Sequence, residues 1–291
     1  MEFLPFAFCE SVCQTLGCFD LWNLRASRAK FWEKAAAETS DRRVPLGINV
    51  DFNRGWTYTL EVLDKRNKPK YSMTFAELQE MNRQHLQVTQ VSLALGGAPS
   101  QASSLEEILE ILQFSLPFLY QSLLVISVKL FPVDGLTRIL SIYQTAPIRA
   151  LFCFTSGRPV EDFLIFKLQS TNHPRSLVCS SPEWSEGVRL AVEEFAISKP
   201  FTLLDTDTLA FGRAFFESLI EKTLTATPSL FNRFIFPFNE LQTIRPDIQD
   251  AAAASLLPSE RINDSGPATE YEHIVWRRAD GAPSGARSSK K

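Results

Sequence analysis

The chain has 291 residues, of which 45% are hydrophobic, and its 30 basic and 33 acidic residues leave a net charge of −3. This length accommodates two domains, and the apolar content supports a sizeable core. The near balance of charge excludes a dedicated nucleic-acid binder, which would carry a strong basic excess, so no nucleic acid is expected among the partners.

The first residues do not form a secretory signal, because no basic segment precedes the apolar run and Glu2 and Glu10 interrupt it. The longest later apolar stretch, 114–131, contains Pro117 and Lys129, whereas a spanning helix needs about 20 cleaner residues. We therefore expect no membrane contact. The 5 cysteines, an odd number scattered through apolar segments, indicate free thiols and an intracellular location in cytoplasm, nucleus or both.

Residues 1–43 predict a small helical module. Apolar residues recur at four-residue intervals from Leu4 to Leu16, which is helical spacing. Asp20 can cap a second helix, and the pattern over 27–38 predicts a third. Three short helices are expected before the chain changes its period.

Residues 44–97 alternate apolar and polar side chains, the pattern of half-buried strands. They predict an antiparallel β segment with one face in water. The predicted strands are 48–52, 56–62, 71–75 and 88–95.

Residues 98–244 predict alternating helices and strands at roughly regular spacing. The strands are expected at 124–131, 149–154, 176–180, 201–205 and 233–238, and the helices at 136–143, 160–169, 185–196 and 209–223. This alternation indicates a mixed α/β recognition domain, either a leucine-rich-repeat-like solenoid or an open sheet. Both alternatives stay open, because no consensus leucine-rich-repeat string recurs.

The last residues predict a C-terminal cap at 245–280 and a disordered tail at 281–291. A short Ala-rich helix is expected at 250–257 and an end strand at 272–278. The tail contains mostly Gly, Ala, Pro, Ser, Arg and Lys, and this composition favours a solvated segment.

The sequence contains no motif that is typical of an enzyme active site. The chain has no phosphate-binding glycine loop, no nucleophile elbow and no zinc motif. Its 3 histidines are far apart, and Asp205-Thr206-Asp207 after a predicted strand fits a turn and helix cap better than a site. We expect no enzyme, no cofactor and no metal; a hydrolase or transferase is the weakest alternative.

The opening helices resemble an F-box. The matching string is LPFAFCESVCQTLGCFDLWNLRASRAKFWEKAA, from Leu4 to Ala36. It begins with Leu-Pro, continues as an apolar helix, and places Asp20-Leu21, a further Leu and a Ser-Arg pair ahead of Trp32. The opening PFAFCESV is also similar to that of the nematode F-box-like families.

The resemblance implies a substrate-recognition subunit of an SCF-type ubiquitin ligase. Its N-terminal helices would bind a Skp-type adaptor, and the later domain would bind a protein client that the sequence does not identify. The alternative is a non-catalytic interaction scaffold with no ligase role. The implied adaptor-binding residues are Leu4, Pro5, Phe8, Val12, Leu16, Leu21, Leu24 and Trp32. We expect Leu4, Pro5, Leu16 and Leu24 to be exposed in the isolated chain.

Overall fold

The computed structural model describes residues 5–16, 21, 24–26, 29–52, 55–64, 67–94, 101–128, 131–206, 208–209, 211–212, 214–215, 217–219, 222, 233–235, 256–257, 273–275 and 277–278. At 14, 15, 120 and 121, and in the strands after 232, only the backbone is described. The chain divides into two compact units, Met1–Pro174 and Arg175–Lys291.

The first unit opens with helices at two of the three expected places. Helix α1 spans Phe6–Thr15 and α2 spans Lys30–Arg42. Between them, residues 21, 24 and 25 are helical. The predicted third helix thus begins three residues later than expected and runs four residues further, directly into the first strand.

The rest of the first unit alternates strands and helices. In chain order these elements are β1 (Val44–Phe52), β2 (Trp56–Leu63), β3 (Pro69–Met73), α3 (Phe75–Glu80), a 3-10 turn (Arg83–His85), β4 (Leu86–Ala94), β5 (Gln101–Ala102), α4 (Leu105–Ser115), a second 3-10 turn (Leu116–Phe118), β6 (Leu119–Ser127), α5 (Val133–Tyr143), β7 (Ile148–Cys153) and α6 (Arg158–Gln169).

The strands of the first unit lie in the order β7-β6-β4-β1-β2-β3, with β5 also paired to β2. β1, β2 and β3 are antiparallel, as predicted. β4, however, is parallel to β1, so the prediction of a purely antiparallel segment over 44–97 is wrong. The reason is the connection: α3 carries the chain back, and a return of this length permits a parallel neighbour.

The second unit repeats this pattern. Its elements are β8 (Ser176–Cys179), α7 (Glu186–Ser198), β9 (Leu203–Asp205), β10 (Arg233–Ile235), β11 (Leu256–Leu257), β12 (His273–Val275) and β13 (Arg277–Arg278). β8, β9 and β10 are parallel neighbours, and β12 pairs antiparallel to β10. Within the predicted helix 209–223, residues 214–215, 217–219 and 222 are helical.

Two C-terminal predictions have different outcomes. Leu256 and Leu257 form a strand paired with β13, so the Ala-rich helix expected at 250–257 is wrong at those residues. The tail 281–291 lies outside the described residues. The mixed α/β class is confirmed, with an open mixed sheet and helices alternating with strands.

The core of the first unit lies between the sheet and its helices. Register brings Ile48, Val91, Leu124 and Leu151 side by side across four strands, and all four are buried. Tyr58 on β2 donates from its hydroxyl to Glu107 of α4 at 3.4 Å, which places α4 on this same face. Strands that follow one another in space through right-handed crossovers put their helices on one face.

Hydroxyl side chains join successive helix–strand repeats. Thr155 Oγ1 accepts a hydrogen bond from the backbone N–H of Val128 at 3.0 Å, and Thr208 Oγ1 accepts one from Ser181 at 3.2 Å. Both bonds span 27 residues, one repeat. Each hydroxyl satisfies a main-chain donor where a strand has ended, which keeps neighbouring repeats in register.

Candidate functional site

Helix α1 starts immediately after Pro5. The carbonyl of Pro5 accepts from the backbone N–H groups of Phe8 at 3.0 Å and Cys9 at 3.3 Å. Proline is well suited to this position, because its fixed φ, here −58°, leads into a helix and its missing N–H is not needed there. The Leu-Pro start therefore sets where the first helix begins.

The two helices pack through small side chains. Cys9 and Cys13, four residues apart on α1, are fully buried, as are Ala35 and Ala36 on α2. Leu21 completes this cluster from between the helices. Small residues at a helix contact allow close approach but bury little apolar area, so the module has a thin core.

The predicted adaptor-binding residues are divided by this packing. Pro5 and Phe8 are exposed, and Val12 is half-buried. Leu16, Leu24 and Trp32 pack against the module's own cluster, and Leu21 is only 1% exposed. The expectation that Leu16 and Leu24 remain exposed is therefore wrong, and Leu21 has no surface to offer a partner. Leu4 lies outside the described residues.

Two aromatic side chains of the module are exposed. Phe8 and Phe31 are each 48% exposed. The Phe8 ring packs edge-on against Trp32, with centroids 6.4 Å apart, and Phe31 is the chain neighbour of Trp32. Among the residues that the structure describes, the buried indole N–H of Trp32 has no hydrogen-bond partner, although such donors usually find one. We name the exposed rings of Phe8 and Phe31 the aromatic patch.

Sequence reasoning missed Phe31. The apolar pattern over 27–38 places Phe31 with Trp32, Ala35 and Ala36 on the apolar side of the third helix. The structure buries Ala35 and leaves Phe31 outside. Phe31 is the second residue of α2, where the helix has only begun, and the apolar spacing alone does not show how far the partner helix extends.

Arginines hold the module together and attach it to the sheet. Arg42 bonds to Glu10 on α1 at 3.0 Å. The neighbouring Arg43 donates to the carbonyl of Cys13 at 3.0 Å and to the side chain of Gln87 on β4 at 3.1 Å. Arg43 thereby satisfies a carbonyl near the C-terminal end of α1, where a cation is favoured.

The thiols of the module are not arranged for nucleophilic chemistry. Cys9, Cys13, Cys153 and Cys179 are free and buried. Burial, reinforced by Cys9, raises the pKa of the Cys13 thiol, whereas Arg43 opposes this rise. Burial likewise raises the pKa of Cys153 well above its ordinary value. A reactive cysteine needs a lowered pKa and access to solvent.

Other reactive side chains are scattered. Lys167 on α6 is fully buried and donates from Nζ to the carbonyl of Ala146 at 2.6 Å, beyond the end of α5. Burial lowers its pKa to about 8. At the predicted turn after β9, Asp205 is half-buried, Thr206 is buried and Asp207 lies outside the described residues. Among the residues that the structure describes, no cluster of His, Cys, Asp and Glu could hold a metal.

Comparisons with known proteins give no assignment. No family model, curated protein or solved structure matches the chain. No helix within the described ranges is long and apolar enough to cross a bilayer. The chain's function is therefore argued from its own residues.

Proposed function

We propose that this chain is an intracellular substrate-recognition subunit of an SCF-type ubiquitin ligase. Its N-terminal helices bind a Skp-type adaptor through the aromatic patch, and the sheet and helices after residue 43 bind a protein client. The chain itself catalyses no reaction; other components of the ligase complex do so. The proposal combines the F-box-like opening with one observation, the two half-exposed phenylalanines on a module with a thin core.

The small size of the module favours a partner on its exposed apolar surface. A module of about forty residues cannot build a large core, and a partner commonly completes its apolar surface. Covering both phenylalanine rings would bury roughly 200 Å² of apolar area, about 5 kcal/mol before the costs of association. Aromatic side chains are also the most frequent interface hot spots.

A pull-down with the adaptor tests the proposal. The full chain should retain the adaptor, and Phe8→Ser together with Phe31→Ser should abolish its retention while the thermal midpoint changes little. Phe166→Ser is the matched control, because Phe166 on α6 is 44% exposed but lies outside the module. A wild-type chain that never retains the adaptor would refute the ligase role.

The scaffold alternative rests on a different observation. Leu16, Leu21 and Leu24 point into the module's own cluster, and Arg43 joins the module to β4. A helical cap on the sheet would show these features without any adaptor. It predicts that the double serine variant lowers thermal stability and that no adaptor is retained by any variant.

A further inference from the structure

Basic residues are concentrated in the turn between β2 and β3. Residues 64–70 have the sequence DKRNKPK, so four cations fall within six residues: Lys65, Arg66, Lys68 and Lys70. No other six-residue window of the chain contains four basic residues, although the whole chain has a net charge of −3. We name residues 64–70 the basic turn.

Hydrogen bonds order the two ends of the basic turn. The backbone N–H of Asp64 donates to the carbonyl of Lys68 at 2.8 Å, and the N–H of Asn67 donates to the carbonyl of Asp64 at 3.0 Å. The Asp64 carboxylate accepts from the N–H of Lys68 at 2.9 Å. Asn67 has a φ of 57°, a left-handed conformation that asparagine tolerates and that closes three-residue hairpin loops. The lysines that follow therefore start from a defined backbone.

The charge of these lysines is open to solvent. Lys68 and Lys70 are both exposed, as is Pro69 between them. Within the described part of the chain, neither ammonium group forms an ion pair with a carboxylate. Asp64, the acid of the turn, already accepts a backbone hydrogen bond. The cations are therefore available to a partner.

Protection of the sheet edge explains only part of this composition. β3 is the last strand in the order of the first unit, and proline and lysine on such a strand discourage pairing with another chain. This role accounts for Pro69 and Lys70, which belong to β3. It does not require Lys65, Arg66 and Lys68, which precede the strand. Because like charges repel one another, their concentration does not stabilise the turn and indicates a role in binding.

The surroundings of the basic turn favour an acidic peptide over a nucleic acid. Acids border the turn along the chain: Glu61 on β2, which accepts a hydrogen bond from Asn49 at 3.1 Å, and the exposed Glu77 on α3. A nucleic acid needs a basic stripe that follows its backbone, and here the basic surface is short. A run of a few Asp or Glu residues needs only the turn itself.

We propose that the basic turn binds an acidic segment of the client, a short run of Asp and Glu residues. Its carboxylates contact Lys68 and Lys70, and Lys65 and Arg66 add to the attraction. Opposite charge speeds encounter and sets which partners are selected, and contacts of this kind weaken as salt rises. The inference rests on the proposed function, because it names the chemistry of the client, but its test does not involve the adaptor.

Fluorescence anisotropy with the full chain tests the proposal. The probe is a labelled peptide of six glutamates between Gly-Ser flanks, and the control probe has six glutamines instead. We expect the glutamate probe to bind at least about ten-fold more tightly than the glutamine probe. Its affinity should fall as salt is raised, since the contacts are exposed to solvent.

Two quadruple variants locate the binding. The first combines Lys65→Gln, Arg66→Gln, Lys68→Gln and Lys70→Gln, and it should weaken the glutamate probe by about ten-fold or more. The second changes the net charge equally at exposed positions outside the turn, and it should bind nearly as the wild type does: Lys30→Gln, Arg138→Gln, Arg158→Gln and Arg175→Gln. Thermal midpoints confirm that both variants fold.

A variant of unchanged charge tests the geometry of the turn. Valine is strongly disfavoured at positive φ, so Asn67→Val should disturb the backbone and weaken the glutamate probe by about three-fold. Asn67→Gly keeps the conformation accessible and should bind as the wild type does. A merely non-specific attraction between charges would not distinguish these two variants.

Four outcomes overturn the proposal: equal binding of the glutamate and glutamine probes, equal losses in the two quadruple variants, full binding by Asn67→Val, or tighter binding of a single-stranded DNA probe of the same charge. The last result would mean that the turn serves a nucleic acid. Adaptor retention by the same variants reports separately on the ligase role. Peptide binding by a chain that never retains the adaptor would count against the ligase role alone.

Discussion

In the N-terminal module the fully buried positions are held mostly by cysteines and alanines, and phenylalanines remain outside. In the sheet of the first unit the order is reversed: leucine, isoleucine and valine fill the interior in register across four strands. The module's own core therefore contributes little to the free energy of folding, whereas the core of the sheet contributes much. The contrast indicates that the sheet contributes more to the stability of the chain than the module does. It supports the proposal that the exposed phenylalanines contact a partner.

The largest expected effect concerns the sheet core. Leu124 is 1% exposed, and Leu124→Ala should reduce the free energy of unfolding by about 2–5 kcal/mol through lost burial and a cavity. Val125→Ala changes the next residue on the same strand, on the opposite face, and should cost under about 1 kcal/mol. Urea unfolding compares the two. Equal losses would show that the sheet face opposite the helices is packed as tightly as the core.

A second test concerns Lys167, whose amino group is buried on α6. The pKa of Lys167 is lowered to about 8 from 10.5, so between those values the unfolded chain binds more protons than the folded one. Stability should therefore rise with pH across this window, by at most about 3 kcal/mol, and fall as pH drops towards 8. Lys167→Met should remove this dependence. Urea unfolding midpoints between pH 7 and 10.5 measure this dependence. If the midpoints of the wild type and the variant change in parallel with pH, the pKa of Lys167 is not lowered.

The packing of the helices against the sheet can be tested at Gly135 on α5. A Cβ there would meet the indole ring of Trp56 on β2. Gly135→Ala should cost about 1–3 kcal/mol by overpacking, although alanine favours a helix. Gly212→Ala is the control, because no described atom beyond its chain neighbours lies within 4 Å of the added carbon. A stabilised Gly135→Ala, seen as a raised thermal midpoint, would mean that Trp56 moves aside easily.

The smallest effect is expected in the module. Phe8→Ala removes a half-exposed ring that packs edge-on against Trp32, so the free energy of unfolding should fall by no more than about 1 kcal/mol. Calorimetry of the full chain provides the measurement. A loss as large as that of Leu124→Ala would remove the contrast between the two regions and favour the helical cap over the adaptor site.

Periodicity predicted much of the fold. The predicted strand 149–154 is observed at Ile148–Cys153, and the predicted helix 160–169 at Arg158–Gln169. Both segments show a clear period in their apolar residues, because each buries one face only. The direction of β4 was missed because a strand's pattern records which face is buried but not which neighbour it pairs with.

The candidate site was less predictable. Helical spacing predicted one apolar pattern from Leu4 to Leu16, and a helix is observed at Phe6–Thr15. The spacing could not divide that pattern between an inward and an outward surface. Leu21 proved buried and Phe31 exposed, contrary to their predicted positions. The division depends on where the second helix crosses the first, and this crossing is a tertiary contact.

The sequence by itself determined the alternation of helices and strands, the helical opening and the Pro5 start of the first helix, because local periods and backbone restrictions are encoded residue by residue. Only the tertiary structure decided that Thr155 bonds to a main-chain donor 27 residues away, that Asn49 orients Glu61, and that Phe152 shares a face with both. These relations depend on strand register and on which face the helices cover. Both are set by packing between segments that are far apart in the sequence, so neither can be predicted from one segment alone.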